Sequence, residues 1–535
     1  MRRPLAAFAL AVLAGCPSGK EGSTVIPTGK VVGEACSAGS QCRSDLICLA
    51  GVCAAGPPAA ASCAAPPGSP QIVAGLEPTA PDPGPEVCVS VVRSPVSFAP
   101  DATVQDLGPL QVGSSATFAV TSGVSSFLLF QQRVGNTAAD EFATAFGMLT
   151  NAVTPTDLRA PDGTLWYDDT AGYPSVTLGG KTYADVSAIL GYDPGFQAIT
   201  AGFPVPNTSR ALDVVRSAGG LPPGNWTFKV NDWAFQCPFG DCNSTPNASG
   251  VYQVHAVTHT LLASTGTLDV EVYLATDPTS ALSTAAVAVA NPETARFVAS
   301  LGTFLGNAGL CLGTVTFHDL PGWARARYAA NGTVDLTDAS ACGDLNQLFT
   351  TAVVRSRAVH LFLADDLIAP ESVSSTTGIS IAGVDGSIPG PSGFPGTING
   401  GAVVGLFDEL GVGSCSGGGP DLARCGTDRV AYVAAHEIGH WLGLFHPTEK
   451  DGTWFDPVAD TDRCPCYSCA PFDARGSCAE VSSKATTFMT NDRCTLSASC
   501  GGGKNLMFWL LDPRFSTGEL SRDQGQIVRL NPAVR

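Results

Sequence analysis

The chain is short of basic residues, of histidine and of methionine. Its 535 residues include 29 Lys and Arg against 47 Asp and Glu, a formal net charge of −18. Binding a phosphate backbone needs a basic surface, so this balance argues against nucleic acid as a partner. It is consistent with a soluble secreted protein. The N-terminal apolar run, Leu5 to Leu13, falls short of the roughly 20 residues a membrane-spanning helix needs. There are seven histidines and four methionines, so the places where they gather are informative. Apolar residues make up 44%, enough to build a packed core and to exclude wholesale disorder. The length implies roughly three to four domains.

The first residues speak to the compartment. Arg2 and Arg3 precede the short apolar run, as in a signal peptide, residues 1–15. Leu13-Ala14-Gly15-Cys16 resembles a bacterial lipobox. The resemblance implies cleavage before Cys16, a lipid on Cys16 that attaches the protein to a membrane, and a tether over 16–35. No Asp follows Cys16, so the resemblance gives no inner-membrane retention signal. The expected location is the bacterial cell envelope, at the outer membrane or cell surface. The alternative is a plain signal peptide and release outside the cell. Nineteen cysteines in an exported chain read as a disulfide framework. With Cys16 lipidated, an even eighteen remain.

Residues 36–53 hold Cys36, Cys42, Cys48 and Cys53. So short a segment has no core of its own and needs staples. Three connectivities are possible, and Cys36–Cys48 with Cys42–Cys53 is favoured. Residues 54–86 are rich in Ala, Pro and Gly and read as a linker, with Cys63 and Cys88 as a candidate pair. Residues 87–265 read as β. Apolar-alternating runs Ala116–Val120, Ser126–Gln131, Asn225–Val230 and Tyr252–Val257 recur between turn signals such as Pro161-Asp162-Gly163. Leu158 to Trp166, with the later G-N-W-T-F-K-V-N-D, resembles the β-sandwich accessory domains of secreted proteases. Cys237 and Cys242 are expected to close a small loop. A pro-segment is the other reading of everything before 266.

From 266 the pattern alternates strand and helix. Strands are expected at Leu268–Ala275, Leu312–Phe317, Ala358–Ala364, Ile379–Val384 and Ala402–Phe407. Asn291-Pro292-Glu293 starts a helix with an apolar stripe through Phe297, Leu301 and Phe304, stopping at Gly309. A short helix is expected at Leu345–Arg355. A further helix is expected over Asp428–Leu442. Cys415 with Cys425, and Cys311 with Cys342, are expected cross-links. Cys464, Cys466, Cys469, Cys478, Cys494 and Cys500 are expected to form three more.

Three of the seven histidines fall in residues 436–446, which read H-E-I-G-H-W-L-G-L-F-H. On a helix, His436 and His440 point off one face, a turn apart. That spacing suits two imidazole nitrogens on one zinc at about 2.0–2.1 Å. Gly443 lets the helix stop and the chain turn, bringing His446 in as third ligand. Three protein ligands leave a position open for water, the arrangement of a catalytic Zn2+ site. Glu437 is placed beside that water as general base.

His436, Glu437, His440, Gly443 and His446 together match the metzincin signature. After them, Asp456, Val458, Asp460 and Thr461 and the helix-like Asp523–Leu530 resemble the pappalysin and cytophagalysin branch. The resemblance covers 266–535. It implies a multidomain protein with an α+β metzincin-like catalytic domain. That domain would have a five-stranded twisted sheet, a backing helix, an active-site helix and an irregular C-terminal subdomain. A β-sandwich-like domain and a small Cys-rich segment would precede it. It further implies a methionine turn beneath the metal at Met507, with Met489 as rival. Asp456, Asp460 and Asp462 are candidate ligands for Ca2+, against the alternative of a solvated acidic loop. Pro447 and Trp509 depart from the family beside the metal. An indole has only an N–H donor, so Trp509 cannot take a ligating tyrosine's place. The expected function is zinc endopeptidase action on a protein or peptide substrate. The alternative is a surface-anchored binding or adhesion lipoprotein with a vestigial protease fold.

Overall fold

The computed structural model describes residues 46–49, 52–55, 70–82, 92–98, 100–134, 143–144, 147–168, 175–178, 181–184, 201–238, 243–246, 250–260, 264–337, 343–368, 382–449, 452, 455–465, 489–496 and 500–535. Expectations for the signal peptide, Cys16, the tether, Cys36, Cys42, Cys63, Cys88, Cys242, Cys342, Cys466, Cys469 and Cys478 lie outside the described residues. The chain divides into two units, Met1–Ala55 and Gly56–Arg535. In the first, Leu46–Leu49 and Val52–Ala55 form an antiparallel hairpin with Cys48 opposite Cys53.

The second unit begins with strand β1, Gln71–Ala74. Seven strands of five or more residues and a helix follow before residue 260. They are β2 (Ala102–Gln111), β3 (Ser115–Val120), β4 (Ser126–Arg133), β5 (Gly147–Arg159), β6 (Ala201–Val205), α1 (Ser209–Ala218), β7 (Gly224–Pro238) and β8 (Val251–His259). One sheet has the order β6-β4-β8-β2, and a second is built around β7 with β5 and β3 on it. All these pairings are antiparallel. The sheets share a core in which Phe127 meets Trp226 edge-on at 5.1 Å and Phe118 meets Phe127 at 4.9 Å. The run S-F-L-L-F in β4 is buried on both faces, as an unbroken apolar strand requires. Phe127 and Leu129 point into that core, while Leu128 and Phe130 join Phe394 in a second cluster.

The remaining chain builds a mixed sheet flanked by helices. Its elements are β9 (Gly266–Ala275), α2 (Pro292–Gly306), β10 (Leu310–Asp319), β11 (Val359–Ala364), β12 (Gly383–Asp385), β13 (Ala402–Gly405), α3 (Gly426–Trp441) and α4 (Arg522–Leu530). The order is β12-β13-β11-β9-β10-β1. Only the pairing of β12 with β13 is antiparallel. Helix α2 is capped by Asn291, whose side chain accepts from Glu293 N, and it buries Phe297, Leu301 and Phe304. These residues share a core with β9, β10, β11 and α3. Past residue 446 the described chain carries no strand, and α4 is its one helix longer than a turn. The molecule is thus a mixed α/β, multi-sheet protein with few helices.

Four expectations change. Residues 71–74 are not linker but a sixth strand: Thr314–Phe317 pairs with them, and Gly75 N donates to Phe317 O at 2.8 Å. The β region contains a helix, α1, whose start is capped by Thr208 and whose end is a left-handed Gly219. The strand expected at Ile379–Val384 is Gly383–Asp385, with 369–381 outside the described residues. The helix expected at Leu345–Arg355 spans only Asp344–Phe349. No described helix is long and apolar enough to cross a membrane.

Candidate metal centre

Helix α3 carries the first two histidines and is fixed at its start. The Cys415–Cys425 disulfide closes the loop before it. Asp428, fully buried in the first turn, takes a bidentate pair from Arg296 of α2 at 2.7 and 2.6 Å and a bond from Ser300 at 2.6 Å. The helix stops at Trp441, and Gly443 adopts φ +111°, a region that strains other residues. Leu444 N then donates back to Gly439 O at 2.9 Å, and the chain turns toward His446.

The result is convergence of three rings. His440 Nε2 lies 3.0 Å from His436 Nε2 and 3.0 Å from His446 Nε2, and the other two are 3.3 Å apart. Tetrahedral ligands at about 2.0–2.1 Å from one ion stand about 3.3–3.4 Å apart, so the spacing fits a first-row metal. The opposite nitrogens are already engaged. His436 Nδ1 donates to Leu506 O at 2.7 Å, His440 Nδ1 to Leu444 O at 2.7 Å, and His446 Nδ1 to Glu449 Oε1 at 2.9 Å. Each ring therefore turns its Nε2 lone pair to a common point, the tautomer that metal-binding histidines adopt. Burial pushes His436 down to about 3, with His446 adding to the effect. Burial and the two neighbouring rings push His440 well down. The neutral, ligating form is the stable one. Among the described residues this is the one group of three or more His, Cys, Asp or Glu able to hold a metal.

Glu437 follows the first histidine and is 6% exposed. It rests on β12: a methyl on Gly383 would lie 2.7 Å from Glu437 Cγ and Oε1, so only glycine leaves it room. Burial raises the Glu437 carboxyl well above its ordinary value, and the charge of Asp385 adds to this, while the Asp385 N–H bonded to it acts against. Asp385 is itself pushed up to about 7 by burial, held back by Ser387 N–H and by His446. A cation at the imidazole centre would favour the charged form of both.

The floor of the site is the turn at Asn505–Phe508. Phe508 N donates to Asn505 O at 3.1 Å, and Met507 N to Asn505 Oδ1 at 2.8 Å. Met507 is fully buried under Gly439, where a methyl would overlap its sulfur. Met489 packs elsewhere, with Phe455, Cys464 and Cys494. Trp509 Nε1 donates to Met489 O at 2.7 Å.

The three candidate calcium ligands are not brought together as a ligand set. Asp456 accepts from Thr461 Oγ1 at 2.6 Å and Gln524 Nε2 at 3.3 Å. Asp460 accepts Asp523 N at 3.0 Å, at the start of α4. Asp460 and Asp462 both line a polar cavity of about 550 Å³, which Arg463, Gly501 and Lys504 also line. Cys464 pairs with Cys494. Cys311 is disulfide-bonded, its expected partner Cys342 lying outside the described residues.

The sequence reading missed Gly383, Asp385 and Glu449. Glu449 had a signal, three residues after His446. Gly383 and Asp385 had none, because strand pairing alone carries them to Glu437. Neither family models nor curated proteins match this chain.

Proposed function

We propose that the protein is a zinc endopeptidase of the metzincin type, exported and held at the cell envelope by a lipid on Cys16. One observation carries the reading: three convergent Nε2 lone pairs, 3.0–3.3 Å apart, beside the buried carboxyl of Glu437. A zinc ion held by His436, His440 and His446 would lower the pKa of a water from 15.7 towards about 7 and polarise the substrate carbonyl. Glu437 takes the proton of the attacking water and gives it to the departing amine. Among the described residues strand β12 is the edge of its sheet, so its outer backbone is suited to pair with an extended peptide. Its first residue, Gly383, leaves Glu437 space to face that peptide. Met507, packed under Gly439, supports this reading as the candidate methionine turn.

The test is cleavage of a peptide library by the full chain, with and without a zinc chelator. Chelator-sensitive cleavage, about one zinc per chain, and a loss of at least about a hundredfold in Glu437→Gln with zinc retained are expected. Full cleavage by Glu437→Gln would sink the proposal. A library left intact by the zinc-loaded protein would favour a binding protein instead.

A further inference from the structure

We infer that the β region before residue 260 is a permanent part of the metal centre, the brace that shapes the turn between His440 and His446, and not a removable pro-segment. The inference rests on the reading of the three histidines as metal ligands.

The turn is held from three sides. A methyl on Gly443 would lie 3.7 Å from Ile527 Cγ2 of α4, 3.8 Å from Pro389 Cβ and 3.8 Å from Pro204 Cγ of β6. Strand β6 belongs to the β region, so that region packs directly on the residue that turns the chain towards His446. It also acts through Pro389. A methyl on Gly202 would stand 3.1 Å from Pro389 O and 3.2 Å from its Cγ. Next to Pro389, Gly390 N donates to Trp441 O at 2.8 Å, and a methyl on Gly390 would overlap the Trp441 indole. Strand β6 therefore presses a loop onto the last residue of the ligand helix.

That loop also touches the other half, where Ser392 Oγ donates to Asn531 Oδ1 at 2.7 Å and His360 Nδ1 meets Gly400 O at 3.1 Å, but its aromatic anchor lies in the β region. Residues 387–401 are buried throughout, although they are mostly Gly, Pro, Ser and Thr and form no strand or helix. Phe394 supplies its main apolar anchor, and it packs on Phe130 of β4 at 4.4 Å and on His255 of β8 at 4.9 Å. Irregular backbone is buried only when its polar groups find partners, and Arg93 Nε supplies one to Gly396 O at 2.8 Å. Without the β region this surface faces water and the loop loses its anchor.

Polar contacts join the same halves elsewhere. Ser209 of α1 donates to Asp523 of α4 and accepts Ala459 N at 2.8 Å. Arg216 pairs with the same Asp523 and donates to Gln526 at 2.7 Å. Arg357 pairs with Asp101 at 2.7 Å. Ser126 Oγ donates to Leu530 O at 2.6 Å. These ion pairs and the shared cluster of Phe98, Leu128, Phe130 and Phe394 make the two parts one packed body.

Two measurements on the full chain test this. The first is metal affinity of Pro204→Gly, by chelator competition and by the visible spectrum of the cobalt(II) form. A loss of about tenfold or more in affinity and a changed cobalt spectrum, with native circular dichroism, are expected. Lowered thermal stability with affinity and spectrum unchanged overturns the inference. The second decides the matter if that variant does not fold. Residues 261–263 are replaced by a site-specific protease sequence and the folded protein is nicked there. The pieces are expected to elute together with metal bound, or to lose the metal on separating. An N-terminal piece that leaves while residues 264–535 keep the metal at unchanged affinity overturns it. Failure of the unmodified chain to bind any zinc or cobalt counts against the metal-site reading itself, and is seen before either variant is made.

Discussion

The sulfur of Met507 lies under Gly439, where any side chain would have to begin. Gly439 sits between the two helical ligands, so the floor of the site touches the helix at its one gap. A methyl there forces Met507 or the helix to move, and overpacking of this kind costs about 1–3 kcal/mol. Gly439→Ala should lower the unfolding free energy by that amount and weaken metal binding with it. Met507→Leu, which nearly conserves volume, should cost less than about 1.5 kcal/mol. Denaturant melts and chelator competition on both variants check this. Equal stability in Gly439→Ala and the native chain would show that the floor is soft.

Glu449 accepts from His446 Nδ1 at 2.9 Å, while the other two rings bond to backbone carbonyls. His446 is therefore the one ligand whose orientation depends on a replaceable side chain. Glu449→Ala should weaken metal binding by about 10- to 100-fold, the usual cost of losing such a partner. Glu449→Gln keeps an acceptor oxygen and should recover most of it. Chelator titrations of the three proteins decide the matter, and parallel loss in both variants would mean that charge matters more than orientation.

How far the sequence foretold this arrangement depends on the range of the interactions. His436, Glu437 and His440 were legible because helical period is local, and Gly443 because its φ of +111° is a need glycine meets. Helix α2 was legible from Asn291, Pro292 and its apolar stripe. Strand β1 was not, since Gln71–Ala74 sits among prolines and glycines and its partner, Thr314–Phe317, is remote in sequence. Helix α1 had both end signals, Thr208 and Gly219, but the strand rhythm around it dominated the reading. Asp385 reaches Glu437 only through the pairing of β12 with β13, which no local pattern encodes.

Asp428 shows how the ligand helix is fastened to α2. It is wholly buried and ionised, with Arg296 on both oxygens. Burial alone would raise its carboxyl, but the bonds from Arg296 and Ser300 outweigh it and leave it lowered. Arg296→Ala strands that charge, and breaking a buried pair from one side costs about 3–5 kcal/mol. Replacing both partners, in Arg296→Met with Asp428→Leu, should cost less than the single change. Denaturant melts of the single and double variants give the comparison, and simple additivity would contradict it.

A second buried pair sets a dependence on pH. His318 of β10 donates from Nε2 to Glu271 Oε2 at 2.6 Å and from Nδ1 to Leu76 O at 3.0 Å. Both partners are acceptors, so the ring is held as imidazolium and fastens the chain just after β1 to the sheet. Burial alone would lower His318, but Glu271 and the Leu76 carbonyl outweigh it and leave it above 6.5. Burial alone would raise Glu271, but His318 leaves it below 4.5. His360, opposite Glu271 in β11, is pushed down to about 4 by burial and stays neutral near pH 6. A raised histidine gives stability that is full below its unfolded value and lost as pH rises through the folded one. A lowered carboxyl gives stability present above its unfolded value and lost as pH falls through the folded one. The pair therefore contributes most between 4.5 and 6.5. The stability lost in His318→Gln should be greatest near about pH 5.5 and shrink towards about pH 9 and about pH 3. Thermal melts of both proteins across that range measure it. A difference that stays constant with pH would mean that His318 acts through packing and not through charge.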